Sequence, residues 1–264
     1  MRRKKFLIPM IALFFAITSC NDESPINGIQ HILGVSSDND QIVALFRVCS
    51  WHNWNYDFIG HTDEMFGPPY IKHSNYSWAY ISDGVKFVNP ASISCNGVPM
   101  KKLEDGQYEF FDGGGNGHLT RINWNVNNIL GHTYNVTDAN LPKIIFTNIH
   151  NDDVIDISRG LNIQYTGNVE EVESILVRIQ YNYYVGFSNE HRMFRFEKFF
   201  PNNGNIVLTE DDLASFPVST IDASYPAAGY IELWHKKYIE EEFYGRTIAK
   251  VYETSMLIWA TFVR

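Results

Sequence analysis

Ser92-Ile93-Ser94-Cys95-Asn96-Gly97-Val98-Pro99-Met100-Lys101-Lys102-Leu103 is the stretch that decides the fold class. Asn-Gly is the pair favoured where both central residues of a two-residue turn need positive φ. Ser92 to Cys95 and Val98 to Leu103 therefore read as the two arms of a β-hairpin. Outward from this hairpin the same pattern recurs. Short runs rich in Val, Ile, Tyr, Phe, Trp and Thr are broken by Gly, Pro, Asn and Asp, the pattern of an all-β chain with many turns. Strands are predicted at 41–50, 108–111, 119–126, 144–147, 161–165, 175–184, 193–199, 205–208, 230–235 and 247–263. One local helix signal stands out. Thr209 caps a turn over 210–216, Asp212 completes a capping box, and Pro217 stops it.

The N-terminus has a different character. Arg2, Arg3, Lys4 and Lys5 precede an apolar run from Phe6 to Ile17. That run falls short of the roughly 20 residues a membrane span needs, and with its basic head it reads as a secretory signal. It ends in Ile17-Thr18-Ser19-Cys20, which resembles the lipobox of bacterial lipoproteins. The resemblance implies cleavage before Cys20 and acylation of its thiol and new amine. Two or more acyl chains give stable anchoring where one is marginal. Residues 1–19 are thus expected to be a signal peptide and 20–28 a lipidated polar tether. Asn21-Asp22-Glu23-Ser24 is similar to the surface-export signal of Bacteroidetes-type lipoproteins, which implies the outer membrane or cell surface.

Removal of residues 1–19 takes away four basic residues and no acidic one. It leaves 17 Lys+Arg against 30 Asp+Glu, a net charge of −13. Such a surface repels phosphate backbones and anionic lipid, so nucleic acid and electrostatic membrane docking are excluded as partner classes. The expected membrane link is the lipid alone. With 45% hydrophobic and 15% aromatic residues, the chain has ample material for a packed core. Leu141-Pro142 marks the expected junction of two modules, 29–140 and 141–264. Cys49 and Cys95 read either as a disulfide or as two buried thiols, and sequence leaves both open.

In the second half, the segment Ile157 to Gly167, the segment Gly204 to Pro217 and the strand from Tyr230 to Trp234 together resemble an immunoglobulin-like sandwich module of Bacteroidetes-type surface lipoproteins. Ile93 to Gly97 and Ile122 to Val126 resemble the preceding module of the same proteins. The likeness covers roughly residues 92–264 and implies two immunoglobulin-like β-sandwiches in a cell-envelope setting. No catalytic residue set accompanies it, and fold alone does not fix function.

The richest candidate chemistry lies between Cys49 and Tyr80. Trp51, Trp54, Tyr56, Tyr70 and Trp78 are the candidate ligand-binding residues, interleaved with amide and carboxylate groups. The apolar face of a pyranose stacks on aromatic rings while its hydroxyls need paired donors and acceptors. The bland alternative is an aromatic hairpin or loop packed on the sandwich.

His52, His61, Asp63, Glu64 and His73 lack the register of a metal site. Residues 112–118, Asp-Gly-Gly-Gly-Asn-Gly-His, lack the Lys-Ser/Thr and helix of a phosphate loop and read as a turn. Asn151 to Asp156 reads as a solvated loop rather than a calcium site, and Glu240 to Glu242 as a solvated turn or strand edge. There is no Gly-x-Ser-x-Gly elbow, Cys49 and His52 are too local to form a dyad, and no carboxylate pair is singled out. No metal or cofactor is expected.

The leading expectation is a non-catalytic, lipid-anchored envelope protein that binds or scaffolds, with glycan as the candidate ligand. A structural subunit of an envelope assembly is the alternative, and a hydrolase ranks below both. Metabolic labelling with a palmitate analogue should mark the wild-type chain and leave Cys20→Ser unlabelled. Equal labelling of both would show that Cys20 is not the lipid-bearing residue.

Overall fold

The computed structural model describes residues 42–54, 71–83, 86–112, 118–168, 170–185, 190–217 and 227–264. The strands are β1 (Ile42–Trp54), β2 (Ile71–Ile81), β3 (Ser92–Cys95), β4 (Val98–Pro99), β5 (Lys101–Glu104), β6 (Gln107–Asp112), β7 (Arg121–Ile129) and β8 (His132–Ala139) in the first half. The second half supplies β9 (Ile145–Phe146), β10 (Asp153–Asp156), β11 (Leu161–Thr166), β12 (Ser174–Val185), β13 (Glu190–Pro201), β14 (Asn205–Leu208), β15 (Ala227–Phe243) and β16 (Arg246–Val263). A one-turn helix, α1 (Glu210–Leu213), carries the predicted capping box between Thr209 and Asp212. The chain is all-β, as the turn grammar predicts. Among the described residues, no helix is long and apolar enough to cross a membrane.

Three sheets form. One has nine strands in the order β13-β12-β15-β16-β1-β2-β6-β5, with β10 joining β16 beside the end of β1. A four-stranded sheet, β4-β3-β7-β8, and a three-stranded sheet, β14-β11-β9, are much smaller. Both pack on the same face of the large sheet. Over the first half, Phe46, Val48, Ala79, Ile248 and Tyr252 meet Ile93, Ile122, Trp124, Val126 and Tyr134. Phe46 lies 4.7 Å from the Trp124 ring and stacks on Tyr134 at 5.3 Å. Over the second half, Ile179, Tyr181, Ile231, Ile258 and Phe262 meet Ile163, Tyr165, Ile206 and Leu208. Gly229 is required in this core, because a Cβ there would meet the Tyr181 side chain at 2.3 Å and the Gln180 carbonyl at 2.0 Å.

The expected boundary near residue 140 separates the two small sheets. It does not separate the large one, since β15 and β16 run beneath both cores. β16 pairs with β15 along its whole length, and in parallel with β1 from Ile42↔Thr247 to Asn53↔Leu257. The first and last described strands are therefore neighbours.

Between the two cores the inner face turns polar. Cross-strand register sets His235 opposite Thr254, Thr254 opposite Ser50, and Ser50 opposite Asn75. All four are fully buried. Ser50 Oγ donates to Asn75 Oδ1 at 2.8 Å, and Asn140 Nδ2 reaches Ser50 Oγ at 3.3 Å. His235 Nε2 donates to Asn202 Oδ1 at 3.0 Å, which also accepts from the Tyr165 hydroxyl at 2.8 Å. A second anchor is buried Lys250, paired with Asp138 of β8 at 2.9 Å and Glu241 of β15 at 2.6 Å. The Tyr252 hydroxyl donates to the same Asp138. Glu240 to Glu242 lies on β15 beyond its pairing with β12, so of the two sequence readings, turn or strand edge, the edge is the one found.

Two further sequence expectations change. Val98 to Leu103 is two strands in different sheets. Pro99 cannot donate to a ladder, the Met100 N–H bonds Ile93 at 3.0 Å, and the chain then crosses to the large sheet. Asn96 and Gly97 do take positive φ, 50° and 78°. The acidic run at 151–156 includes a strand, with Asp153–Asp156 pairing in parallel with Ala260–Val263.

Burial lowers the His235 pKa to about 4 from its ordinary 6.5. A depressed pKa favours the folded state above the unfolded value and withdraws that support as pH falls. Urea unfolding should show stability declining by about 3 kcal/mol from this one proton between pH ~6.5 and ~4. His235→Asn should remove that component. An unchanged pH slope would contradict it.

Candidate ligand-binding face

Strand alternation gives the large sheet a second, outer face that neither small sheet covers. On β1, the residues that point away from Phe46 and Val48 are Arg47, Cys49 and Trp51. Their antiparallel neighbours on β2 are Trp78, Tyr76 and Ser74, and on β6 Glu109 lies beside Trp78 and Phe111 beside Tyr76. Trp51, Tyr76, Trp78 and Phe111 therefore meet as one patch. Tyr76 lies 5.0 Å from Trp51, 4.4 Å from Phe111 and 5.5 Å from Trp78, the last pair nearly parallel at 11°. Trp51 is 40% exposed and Phe111 53% exposed, so solvent reaches the flanks of the patch.

The charges on this face are matched in place. Arg47 sits 5.4 Å over the Trp78 ring and grips Glu253 through both Nε and Nη2 at 2.7 Å. The same arrangement recurs on the second half. Arg178 lies 5.2 Å over Trp234 and bonds Glu232 and Glu197 at 2.6 Å each. Burial, opposed by Arg178, raises the Glu232 pKa. Trp234, Ser255 and Trp51 lie in one cross-strand row, so the two aromatic–arginine units face the same side. Cation–π contacts of this kind hold ring planes in place while leaving their edges and free faces apolar.

Of the five sequence candidates, the structure brings Trp51 and Trp78 to this face, on either side of Tyr76. Trp54 closes β1, while Tyr56 and Tyr70 lie outside the described residues. Tyr76 and Phe111 complete the patch. Tyr76 lies inside the aromatic stretch, and its signal was strand alternation. Phe111 comes from a separate predicted strand, which nothing local ties to the stretch.

Cys49 and Cys95 are separate buried thiols. Cys49 faces the outer side next to Trp51 and Tyr76. Cys95 sits in the first core, 3.4 Å from the hydroxyl of Ser77, a residue opposite Val48. The sheet itself stands between them. Burial, and after it the nearby Glu253, raises the Cys49 thiol well above its ordinary value, and burial pushes Cys95 to about 11.

His52 points to the inner face, where its Nε2 lies 3.0 Å from Nδ1 of His118. His118 Nε2 donates to the Leu141 carbonyl at 2.8 Å. His61, Asp63, Glu64 and residues 113–117 are outside the described residues, and no group of three or more metal-ligating side chains occurs among the described ones. Two open grooves, one at Gly160, Leu208 and Thr209 and one at Glu240, Glu242 and Arg246, hold none of the predicted site residues. Comparison with protein-family models and with curated proteins gave no match.

Neither thiol should react with an aromatic disulfide reagent at pH 8 in the native protein, and both should react after unfolding, as peptide mapping would read. A Cys49–Cys95 cross-linked peptide, or rapid native labelling, would contradict the placement.

Proposed function

We propose that the chain is a lipid-anchored envelope protein that binds glycan on the outer face of its large sheet and does no chemistry on it. The observation that carries this reading is the Trp51–Tyr76–Trp78–Phe111 patch. It is wide, only partly covered and built on three adjacent hydrogen-bonded strands. Buried aromatics in a sandwich core need no such placement, and exposed contiguous ones on a sheet mark a contact surface. The flat rings offer stacking area, and the exposed carboxylate of Glu109 beside Trp78 offers a hydroxyl partner.

Of the carboxylates on this face, Glu253 and Glu232 are committed to Arg47 and Arg178, and Glu109 beside Trp78 lies 3.6 Å from Lys101. That supports binding rather than hydrolysis, since a glycosidase needs two carboxyl groups free to act on one bond. The lipid at Cys20 supplies attachment, and the polar tether supplies reach. In this reading each small sheet with its share of the large one is an immunoglobulin-like sandwich, and the two are joined through common strands.

Calorimetric titration with a panel of soluble polysaccharides tests the reading. Binding to at least one is expected, and Trp51→Ala or Trp78→Ala should weaken it by about tenfold or more, roughly 1.4 kcal/mol. Absence of binding across neutral and charged glycans, or binding indifferent to both substitutions, would sink it.

A further inference from the structure

The two edges of the nine-stranded sheet are unlike. β5 is four residues long, carries exposed Lys101 and Lys102, and is irregular in register between Lys102 and Glu104. Short length, lysines and bulges are the devices that keep an edge from pairing with another chain. β13 at the opposite edge has twelve residues and an unbroken register with β12, from Ser174↔Pro201 to Val185↔Glu190. It exposes Met193 at 63% and Phe199 at 68%. A long, straight edge with outward apolar side chains is a template for strand addition.

The sequence of this edge is self-complementary. On the outer face β13 presents, in order, Met193, Arg195, Glu197 and Phe199. When a second copy is laid antiparallel with Phe196 on the two-fold axis, Met193 faces Phe199 of the other copy and Arg195 faces its Glu197. Both rows then repeat by symmetry, as an isologous contact demands. Neighbouring registers lose this match. Centring on Arg195 sets arginine against arginine, and centring on Glu197 sets glutamate against glutamate. A one-residue slip would put outer-face residues of one copy beside the inner-face Phe194 and Phe196 of the other. Opposite charges across a strand pair stabilise it and like charges oppose it.

We infer that β13 is a dimerisation edge at which a second copy of this chain continues the large sheet, antiparallel and centred on Phe196. The axis stands perpendicular to the sheet, so the outer faces of both copies lie on one side. Their aromatic patches then form a single bivalent surface, with the avidity that two linked sites give. The dimer stands on the edge itself and holds whether or not the face binds glycan.

Sedimentation velocity of the full chain in a mild non-ionic detergent, across a concentration series, is the test. A monomer–dimer equilibrium is expected. Arg195→Glu should weaken it by about tenfold or more. Met193→Lys and Phe199→Glu, both at exposed positions, should each weaken it as well. An equal mixture of those two variants should associate more strongly than either alone, because the new lysine faces the new glutamate across one row. A chain that stays monomeric, a dimer indifferent to these substitutions, or a mixture no stronger than its components would overturn the proposal. Unchanged far-ultraviolet circular dichroism of each variant separates loss of the edge from loss of the fold.

Discussion

The β15–β16 hairpin is the constraint on which the rest depends. Its two strands, seventeen and eighteen residues long, pair without interruption from Ala227↔Phe262 to Phe243↔Arg246. A strand rises about 3.4 Å per residue, so the hairpin is far longer than one small sandwich core is wide. It has to pass beneath both. Its inner face supplies Leu233, Met256 and Ile258 to one core and Ile248 and Tyr252 to the other. Each small sheet then takes the position left to it on the same side. The outer face keeps a small buried cluster of its own at Ile42, Leu45, Ala249 and Val251, and beside it carries the aromatic patch with exposed Trp51 and Phe111.

The seam between the cores follows from the same constraint. A continuous apolar inner face would let either small sheet slide along the hairpin. The buried row of His235, Thr254, Ser50 and Asn75 interrupts it, and Asn140 and Asn202, from segments beside the two small sheets, bond into the row. Lys250 adds a second fixed point by holding Asp138 of the four-stranded sheet and Glu241 of the hairpin. A buried cation with two carboxylate partners gives little net stability over an apolar core of equal volume. We attribute to it the setting of register between the layers, which the geometry of three charged groups can specify and apolar contact cannot.

Much of the strand content was legible in sequence, because local alternation and turn residues carry it. The hairpin at Asn96-Gly97, the capped turn at Thr209 and the strands at 205–208 and 247–263 all signal themselves through neighbours a few positions away. β2 did not, because its pattern is inverted. Its buried side reads Asn75, Ser77, Ala79 and Ile81, while its outer side reads Tyr76, Trp78 and Tyr80. At a seam, small and polar residues go in and large aromatics face out, so the stretch resembles a loop or an aromatic cluster more than a strand. β8 buries only Tyr134 fully and is polar elsewhere, which hides it. β10 is masked by its own acidity, since its pairing partner lies about a hundred residues away. The parallel union of β1 with β16, and the meeting of Phe111 with Tyr76, are likewise non-local facts that no window of sequence contains. Of the site, the sequence identified the aromatic stretch but not its geometry. Half of the patch depends on which strand lies next to which.

One shared sheet makes the two halves a single cooperative unit. Native-state hydrogen exchange in increasing urea tests it most directly, with Trp124 in β7 reporting on the first core and Ile163 in β11 on the second. The slowest amides of both small sheets and of the β15–β16 hairpin should converge on one opening free energy with one urea dependence. Two distinct global openings, one for each half, would contradict it.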